Sequence, residues 1–205
     1  MRIAIDGPAA AGKTTLARSL AEELGYLFVP TGAMYRAAAL AHQRGIPVER
    51  LEIAVGAGGR IYLDGEDVTD LLTHPDLDEL SSQLALNGRV RQRLVEIQRR
   101  IAAHGDVVME GRDIGTVVLP DAELKIFLWA TDEERARRRL AEHGGEFADV
   151  LAAIRRRDER DSTRPDSPLR AAPDAVVVDT TGRTPEEVLA SVLRLVEERR
   201  AQLAR

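Results

Sequence analysis

The segment that most constrains the fold of this chain is residues 7–14, Gly-Pro-Ala-Ala-Ala-Gly-Lys-Thr, which fits the pattern G-x-x-x-x-G-K-[ST]. An apolar, strand-like run precedes it at residues 2–5, and Leu16, Leu20 and Leu24 follow it at helical spacing. A strand, a glycine-rich turn and a helix in this order direct backbone N–H groups and the positive end of the helix dipole towards one point. The sequence therefore predicts a phosphate-binding loop, or P-loop, on an α/β framework.

This loop predicts that the chain binds a nucleoside triphosphate. The residues expected to hold its phosphates are Gly7, Pro8, Ala9, Ala10, Ala11, Gly12, Lys13, Thr14 and Thr15. Lys13 should bridge the β- and γ-phosphates, and the hydroxyl of Thr14 should take a position on Mg²⁺. The alternative is a tight turn that binds nothing, but a chance match is expected in under about 1% of chains of this length. The loop alone does not say what happens to the γ-phosphate.

Composition limits the remaining possibilities. A length of 205 residues predicts one domain, and the net charge of −5 gives no general attraction to nucleic acid or to an anionic membrane. The absence of cysteine excludes disulfides and thiolate chemistry, and the four histidines show no metal-ligand spacing. Since no run is apolar and long enough to span a bilayer and no signal pattern is present, we expect a cytoplasmic protein with no membrane partner.

Short β-rich runs alternate with helical patterns, which is typical of a parallel α/β fold. The strand candidates are residues 2–5, 26–29, 106–109, 124–129 and 175–178. They predict a three-layer fold, in which helices cover both faces of one five-stranded parallel sheet. Capping-box patterns at 131–134 and 184–187 predict helices over about 132–143 and 185–203.

Two regions interrupt this alternation and are interpreted as inserts. Residues 60–70 predict a small β-hairpin that turns at Asp64-Gly65. Residues 155–173 are rich in Arg and Asp and contain three prolines, so a helix there should give way to a movable loop.

Three groups of charged residues are candidates for a site. Arg36 follows a strand end by one helical turn, and could be either an ordinary surface charge or a phosphate clamp. Arg112-Asp113 lies between two glycines at another strand end, where a self-satisfied ion pair is the alternative. Arg157, Asp161 and Arg164 share a helix face if the helix continues. Such a run is usually a solvated surface, but beside a P-loop it predicts a lid that neutralises phosphate and excludes water.

Many arginines around one lysine, without a paired catalytic acid and base, suit an acceptor that is itself a phosphate. The second pKa of a nucleoside monophosphate is about 6, so its oxygen is already a nucleophile at neutral pH. The protein then has to overcome charge repulsion and to align two anions.

Taken together, these motifs resemble those of the bacterial cytidylate kinase family along nearly the whole chain. The matching segments are residues 5–14, 31–36, 63–69, 81–83 with 89–91, 110–118 and 157–161. The resemblance implies transfer of the γ-phosphoryl group of ATP to CMP or dCMP, with Mg²⁺ and without a general base, by a monomer. It also implies a core of about 1–30, 105–155 and 172–205, a monophosphate-binding region of about 31–104, and an Arg-rich lid of about 155–172.

The resemblance further implies a role for each candidate residue. The catalytic residues would be Lys13, Arg112, Arg157 and Arg164. The acceptor would be bound by Thr31, Arg36, Ser82, Arg91, Arg112, Asp113, Arg157, Asp161 and Arg164. Among these, Asp161 would contact the ribose. Ser82, Arg91 and Asp113 would read the cytosine, because a carboxylate accepts a hydrogen bond from its amino group. Arg135 and Arg139 would flank the adenine or the phosphates of ATP.

The sequence departs from the family pattern at residues 56–60, which look shortened, as if one strand of the insert were trimmed.

Three other functions compete with the implied one. A kinase for AMP, dTMP or shikimate is the first. A GTP-hydrolysing switch is the second, although the N-K-x-D sequence that reads guanine is absent. An ATPase that acts on nucleic acid is the third, against which stand the net negative charge and the 3% aromatic content.

Overall fold

The computed structural model describes residues 1–204, apart from the side chain of Pro75, and contains a five-stranded and a three-stranded sheet. The strands in chain order are β1 (Arg2–Asp6), β2 (Leu27–Pro30), β3 (Ile53–Val55), β4 (Ile61–Leu63), β5 (Glu66–Asp67), β6 (Val107–Gly111), β7 (Leu124–Trp129) and β8 (Val176–Asp179). The helices are α1 (Lys13–Leu24), α2 (Thr31–Gln43), α3 (Pro75–Leu84), α4 (Gly88–Ala102), α5 (Asp132–His143), α6 (Phe147–Thr163) and α7 (Pro185–Leu203).

The larger sheet is parallel, with the order β2-β6-β1-β7-β8, and confirms the predicted five strands. β1 lies in the middle and pairs with β6 and β7 on either side. β6 runs two residues further than predicted, because its ladder with β1 continues to Asp6↔Gly111. The loop after β1 therefore starts at the centre of the carboxyl edge, where open α/β sheets bind ligands.

Helices cover both faces of this sheet, as predicted. Ile3 and Ile5 face a core shared with α1 and α7, whereas Ala4 faces a core shared with α2 and α4. This alternation follows from the two-residue period of a strand, and both faces of β1 are fully buried. None of the helices within residues 1–204 is long and apolar enough to cross a membrane.

The two predicted capping boxes differ in the structure. At α7 the box is complete, since Thr184 and Glu187 each accept from the other's backbone N–H. At α5 the Thr131 hydroxyl accepts from the Glu134 N–H at 3.3 Å, but the return bond is missing. The Glu134 carboxylate instead accepts from Arg138, at 3.1 Å. The prediction of a reciprocal box at 131–134 is therefore wrong.

The insert contains the predicted hairpin, β4 and β5, and one additional strand. β3 pairs with β4 in antiparallel register, and a strand trimmed relative to the family pattern stays a prediction. Residues 56–60 form the connection between β3 and β4, which closes tightly because Gly58 and Gly59 have φ of 66° and 79°. The connection lies on the core: a methyl group at Gly59 would be 2.6 Å from Cδ1 of Phe28, and Arg18 donates to the Gly58 carbonyl at 3.0 Å.

The predicted lid segment overlaps α6, which runs from Phe147 to Thr163 and packs beside α5. Arg157 and Asp161 lie on this helix, but it ends before Arg164, which has extended backbone angles of φ −61° and ψ 139°. The residue that precedes a proline disfavours the helical conformation, so Pro165 explains where the helix ends. The change from helix to loop was predicted, whereas the continuation of one helix face to Arg164 is wrong.

Candidate active site

A cleft of about 400 Å³ opens between the P-loop, the insert and α6, at the carboxyl edge of the parallel sheet. Every residue predicted to bind the acceptor lines it: Thr31, Arg36, Ser82, Arg91, Arg112, Asp113, Arg157, Asp161 and Arg164. A second cavity of about 570 Å³ adjoins it and is lined by the P-loop residues from Ala10 to Thr15. Lys13, Thr14 and Arg139 line both spaces, so the phosphate loop lies where the two spaces meet.

Lys13 is buried at this junction, and its Nζ donates to the carbonyl of Pro8 at 2.7 Å. Burial lowers its pKa to about 7, and the neighbouring charges of Arg112 and Arg157 act in the same direction. The charged ammonium is therefore disfavoured while no anion lies beside it. A phosphate bound next to Nζ would favour the charged form and pair with it.

The Thr14 hydroxyl donates to Oε1 of Glu110 at 3.0 Å. Glu110 is the penultimate residue of the fully buried strand β6 and is 6% exposed. One hydroxyl and one carboxylate, with phosphate oxygens and water, make up the oxygen set that Mg²⁺ prefers. The two side chains therefore fit the predicted ion. The sequence assigned Thr14 to it but not Glu110, which the run Glu110-Gly111-Arg112 at a strand end could have indicated.

Positive charge accumulates around Lys13 with little compensation. Among residues 1–204, Arg139 and Arg157 have no carboxylate within salt-bridge distance, whereas Arg112 donates to Asp161 at 2.8 Å. Burial lowers the pKa of Arg157, followed by the repulsion from Arg112 and Arg139. These groups form one cationic surface that an anion would stabilise.

Arg36 lies further along the same cleft and is only partly engaged. Its Nε donates to the Leu72 carbonyl at 3.2 Å and lies 3.5 Å from Asp78. Asp78 was not singled out from the sequence, where it reads as one of several acidic residues at the start of a helix. In the cleft it is the carboxylate that a bound phosphate would compete with for Arg36.

The far end of the cleft holds a buried ion pair between Arg91 and Asp113. Arg164 approaches the other oxygen of Asp113 at 3.7 Å and donates to the Ser167 carbonyl at 2.6 Å. Tyr35, which the sequence reading did not select, stacks beneath Arg91 with its ring centre 5.9 Å from the guanidinium carbon. Burial raises the pKa of Tyr35 to about 12, so its phenol stays neutral. This end therefore combines a flat aromatic surface with one carboxylate.

The two arginines assigned to the ATP side lie in different places. Arg139 faces both spaces, but Arg135 is buried and lines neither. Arg135 donates to the Ala9 carbonyl at 3.0 Å and pairs with Asp158 at 2.6 Å, so it supports the P-loop from behind. Arg138, which sequence reasoning missed, lines the second cavity. A direct contact of Arg135 with nucleotide stays a prediction.

Comparisons with known proteins identify the family of this chain. The family model described as "Cytidylate kinase" matches residues 3–198. The chain is 47% identical to the cytidylate kinase of Carboxydothermus hydrogenoformans over 96% of this chain and 97% of that one. It is 44% identical to the cytidylate kinase of Enterococcus faecalis over 98% and 97%.

Solved structures share the fold at low sequence identity. A shikimate kinase from Bacteroides thetaiotaomicron superposes with a TM-score of 0.51 and 14% identity, over 96% of this chain and 98% of that one. An uncharacterized protein from Eubacterium ventriosum gives 0.60 and 13%, over 96% and 98%. At this identity the likeness shows a P-loop kinase fold and no substrate. From the family match and its close relatives, the chain belongs to the cytidylate kinase family.

Proposed function

We propose that this chain transfers the γ-phosphoryl group of ATP to CMP or dCMP, giving ADP and CDP or dCDP. The observation that carries the proposal is the placement of Lys13, Arg112, Arg139 and Arg157 around one junction, with the Arg91–Asp113 pair at the far end of the cleft. Cations at the junction suit two facing phosphates, and a carboxylate at the far end suits a base with an amino group.

The donor nucleotide belongs on the side of the second cavity. The backbone N–H groups of the P-loop and the start of α1 hold its phosphates, and Lys13 contacts the oxygens between the β- and γ-positions. Thr14 and Glu110 would hold Mg²⁺, which when bound neutralises charge on the β- and γ-phosphates. Arg138 and Arg139 border the space left for the adenosine.

The acceptor phosphate belongs between Arg36, Arg112 and Arg157. A phosphate there competes with Asp78 for Arg36 and with Asp161 for Arg112. Phosphate offers more acceptor oxygens and more charge than a carboxylate, so the exchange favours the nucleotide. Asp161, once displaced from Arg112, is free to accept from a ribose hydroxyl.

The transfer then needs alignment and charge neutralisation only. An oxygen of the acceptor phosphate forms a bond to the γ-phosphorus while the bond to the β–γ bridging oxygen breaks, and ADP leaves with that electron pair. The attacking oxygen carries no proton at neutral pH, so no residue has to remove one. Lys13, Arg112 and Arg157 stabilise the charge that spreads over the transferring group.

Cytosine is read at the far end. The Asp113 carboxylate accepts from the amino group of cytosine, whereas uracil presents a carbonyl there and is repelled. Ser82 and Arg91 line the same end, and the Tyr35 ring provides a flat apolar surface.

An acceptor panel tests the proposal. ADP release is measured with CMP, dCMP, UMP and AMP at matched concentrations, and CMP and dCMP should give the highest kcat/KM. Faster turnover with UMP or AMP would overturn the choice of base. We also propose that the enzyme acts as a monomer, in the cytoplasm; sedimentation with both nucleotides tests the monomer.

A further inference from the structure

One buried acid beside the active site takes no part in the roles above. Asp6 ends β1, immediately before the first glycine of the P-loop, and is 4% exposed. Its two carboxylate oxygens accept from the backbone N–H groups of Ile114 and Gly115, each at 2.8 Å. Among residues 1–204 it has no Lys or Arg within salt-bridge distance, so these two hydrogen bonds stabilise its negative charge.

Those two N–H groups open the π-helical turn Ile114–Val118, which follows Asp113 directly. The ladder between β1 and β6 ends at the pair Asp6↔Gly111. Asp6 therefore fixes the segment after β6 at two points. Its backbone pairs with Gly111, and its carboxylate accepts from Ile114 and Gly115. Only two residues lie between these anchors, and they are the site residues Arg112 and Asp113.

The same residue is covalently joined to the donor side. Gly7, the next residue, begins the P-loop at a φ of 152°, and a methyl group there would lie 2.3 Å from the Leu128 carbonyl oxygen. This end of the loop is thus held against β7. Asp6 is the link between the segment that holds the donor phosphates and the segment that holds the acceptor.

The ionised carboxylate of Asp6 does not stabilise the folded protein. Desolvation by burial raises its pKa to about 6, in spite of the two hydrogen bonds. An ionised carboxylate at this place therefore destabilises the fold at neutral pH relative to its protonated form. The groups that face it are Asp113, which raises its pKa further, and Lys13, which lowers it. Ionisable groups kept charged at such a cost cluster at functional sites.

We propose that Asp6 is a positioning residue for phosphoryl transfer, which sets Arg112 and Asp113 at a fixed distance from the P-loop so that the two phosphates meet. The proposal rests on the proposed function, since it requires a donor and an acceptor on the two sides of Lys13. A displacement of about 1 Å between reacting groups can lower a rate by roughly 100-fold.

The test uses Asp6→Asn in the full chain. Asparagine keeps the size and one acceptor oxygen, but its amino group faces an N–H and repels it. We expect kcat with CMP to fall about 10- to 100-fold and KM for CMP to rise. The affinity for a non-hydrolysable ATP analogue, measured by calorimetry without acceptor, should change by less than about threefold, because the P-loop itself is untouched. Tm should stay equal or rise.

A second variant disturbs the same contact from the other side. A methyl group at Gly115 would lie 3.2 Å from Cδ of Lys125 and 3.4 Å from Oδ2 of Asp6, so Gly115→Ala should shift the amide by a few tenths of an ångström. It should lower kcat in the same direction but less. Asp174→Asn is the matched control: it removes the 2.9 Å ion pair with Lys125 and leaves the Asp6 contacts intact, so kcat should stay at the wild-type value.

The outcomes separate a positioning role from a merely structural one. Wild-type kcat in Asp6→Asn would overturn the proposal, as would a fall in kcat matched by lost ATP-analogue affinity and lowered Tm. If Asp6→Asn does not fold, Gly115→Ala decides by the same measurements. If the wild-type enzyme prefers another nucleoside monophosphate, the proposed substrate fails, and the comparison repeated with that acceptor still decides on Asp6.

Discussion

Arg112 and Asp161 join two parts of the cleft that are far apart in sequence, with the guanidinium Nε donating to the carboxylate at 2.8 Å. The pair links the segment after β6 to α6. Both side chains are mostly buried, at 19% and 17% exposed. The same two groups are the ones proposed to bind the acceptor phosphate and ribose, so a bound nucleotide would have to replace this contact.

Asp161→Asn should weaken acceptor binding. The amide keeps the shape of the side chain but loses the charge that accepts from the ribose, and a hydrogen bond to a charged group is worth about 1.5–3 kcal/mol. KM for CMP should rise roughly 10- to 100-fold in steady-state assays, with a smaller effect for dCMP if the contact is to the 2′-hydroxyl. Asp166→Asn, on the exposed loop after α6, is the control and should change neither value. Equal KM values in Asp161→Asn and wild type would refute the assignment.

Lys13→Ala should remove nearly all turnover, because the transferring group loses its central positive charge. Loss of one such electrostatic contact lowers kcat about 100- to 1000-fold. The measurement is ADP release at saturating ATP and CMP. Lys13→Arg restores charge with a planar, wider group and should recover little activity, since the buried position leaves no room for it. A wild-type rate in Lys13→Ala would contradict the role of the P-loop.

Asp113→Asn should reduce discrimination between cytosine and uracil. The amide can donate to the carbonyl of uracil, so the repulsion that excludes UMP disappears and the preference should fall by up to about 3 kcal/mol. The measured quantity is the ratio of kcat/KM for CMP to that for UMP. This ratio is insensitive to the loss of stability that follows when buried Arg91 loses its partner. An unchanged ratio would assign the reading of the base to another group.

A pH-dependent test concerns the ion pair at the amino-terminal strand. Burial alone would raise the pKa of Glu123, but hydrogen bonds from the side chain and backbone of Arg2 outweigh it and lower the pKa to about 2. The folded state thus holds the ionised form more tightly than the unfolded state, whose pKa is about 4.3. The stabilisation is present above that pH and is lost as pH falls towards 2.

Glu123→Gln should therefore lower Tm at pH 7, and the difference from wild type should shrink as the pH is lowered from 5 to 3. Thermal unfolding followed by circular dichroism at each pH measures it. Glu22→Gln, on an exposed face of α1, provides a baseline for removal of a surface charge. A Tm difference that stays constant with pH would show that Arg2 does not hold Glu123 in its charged form.

The sequence predicted most of what is local. The bounds of the five parallel strands came within two residues, and the start of α7 was predicted because Thr184 and Glu187 provide a signal that needs no tertiary contact. The missing half of the box at Thr131 shows the limit of that signal. Glu134 has a competing partner, Arg138, one turn further along the same helix, and a pattern of residue types cannot rank the two.

The parts of the site that were missed depend on folding. Asp6 and Glu110 sit at the ends of neighbouring strands, but their partners lie about a hundred residues away in the chain, so no local pattern pairs them. Tyr35 reads as a helix residue of an apolar run until Arg91 is placed over its ring. The burial of Arg135 likewise follows from its contact with the Ala9 carbonyl, which spacing along α5 does not reveal.

The glycines of the short connection between β3 and β4 have a practical consequence for redesign. With Gly59 against Phe28, and with Arg18 of α1 bonded to Gly58, any residue added in this connection would push on β2 and on α1, the helix that follows the P-loop. Attempts to enlarge the acceptor pocket for a purine should therefore target α3, whose residues Asp78, Ser81 and Ser82 line the cleft.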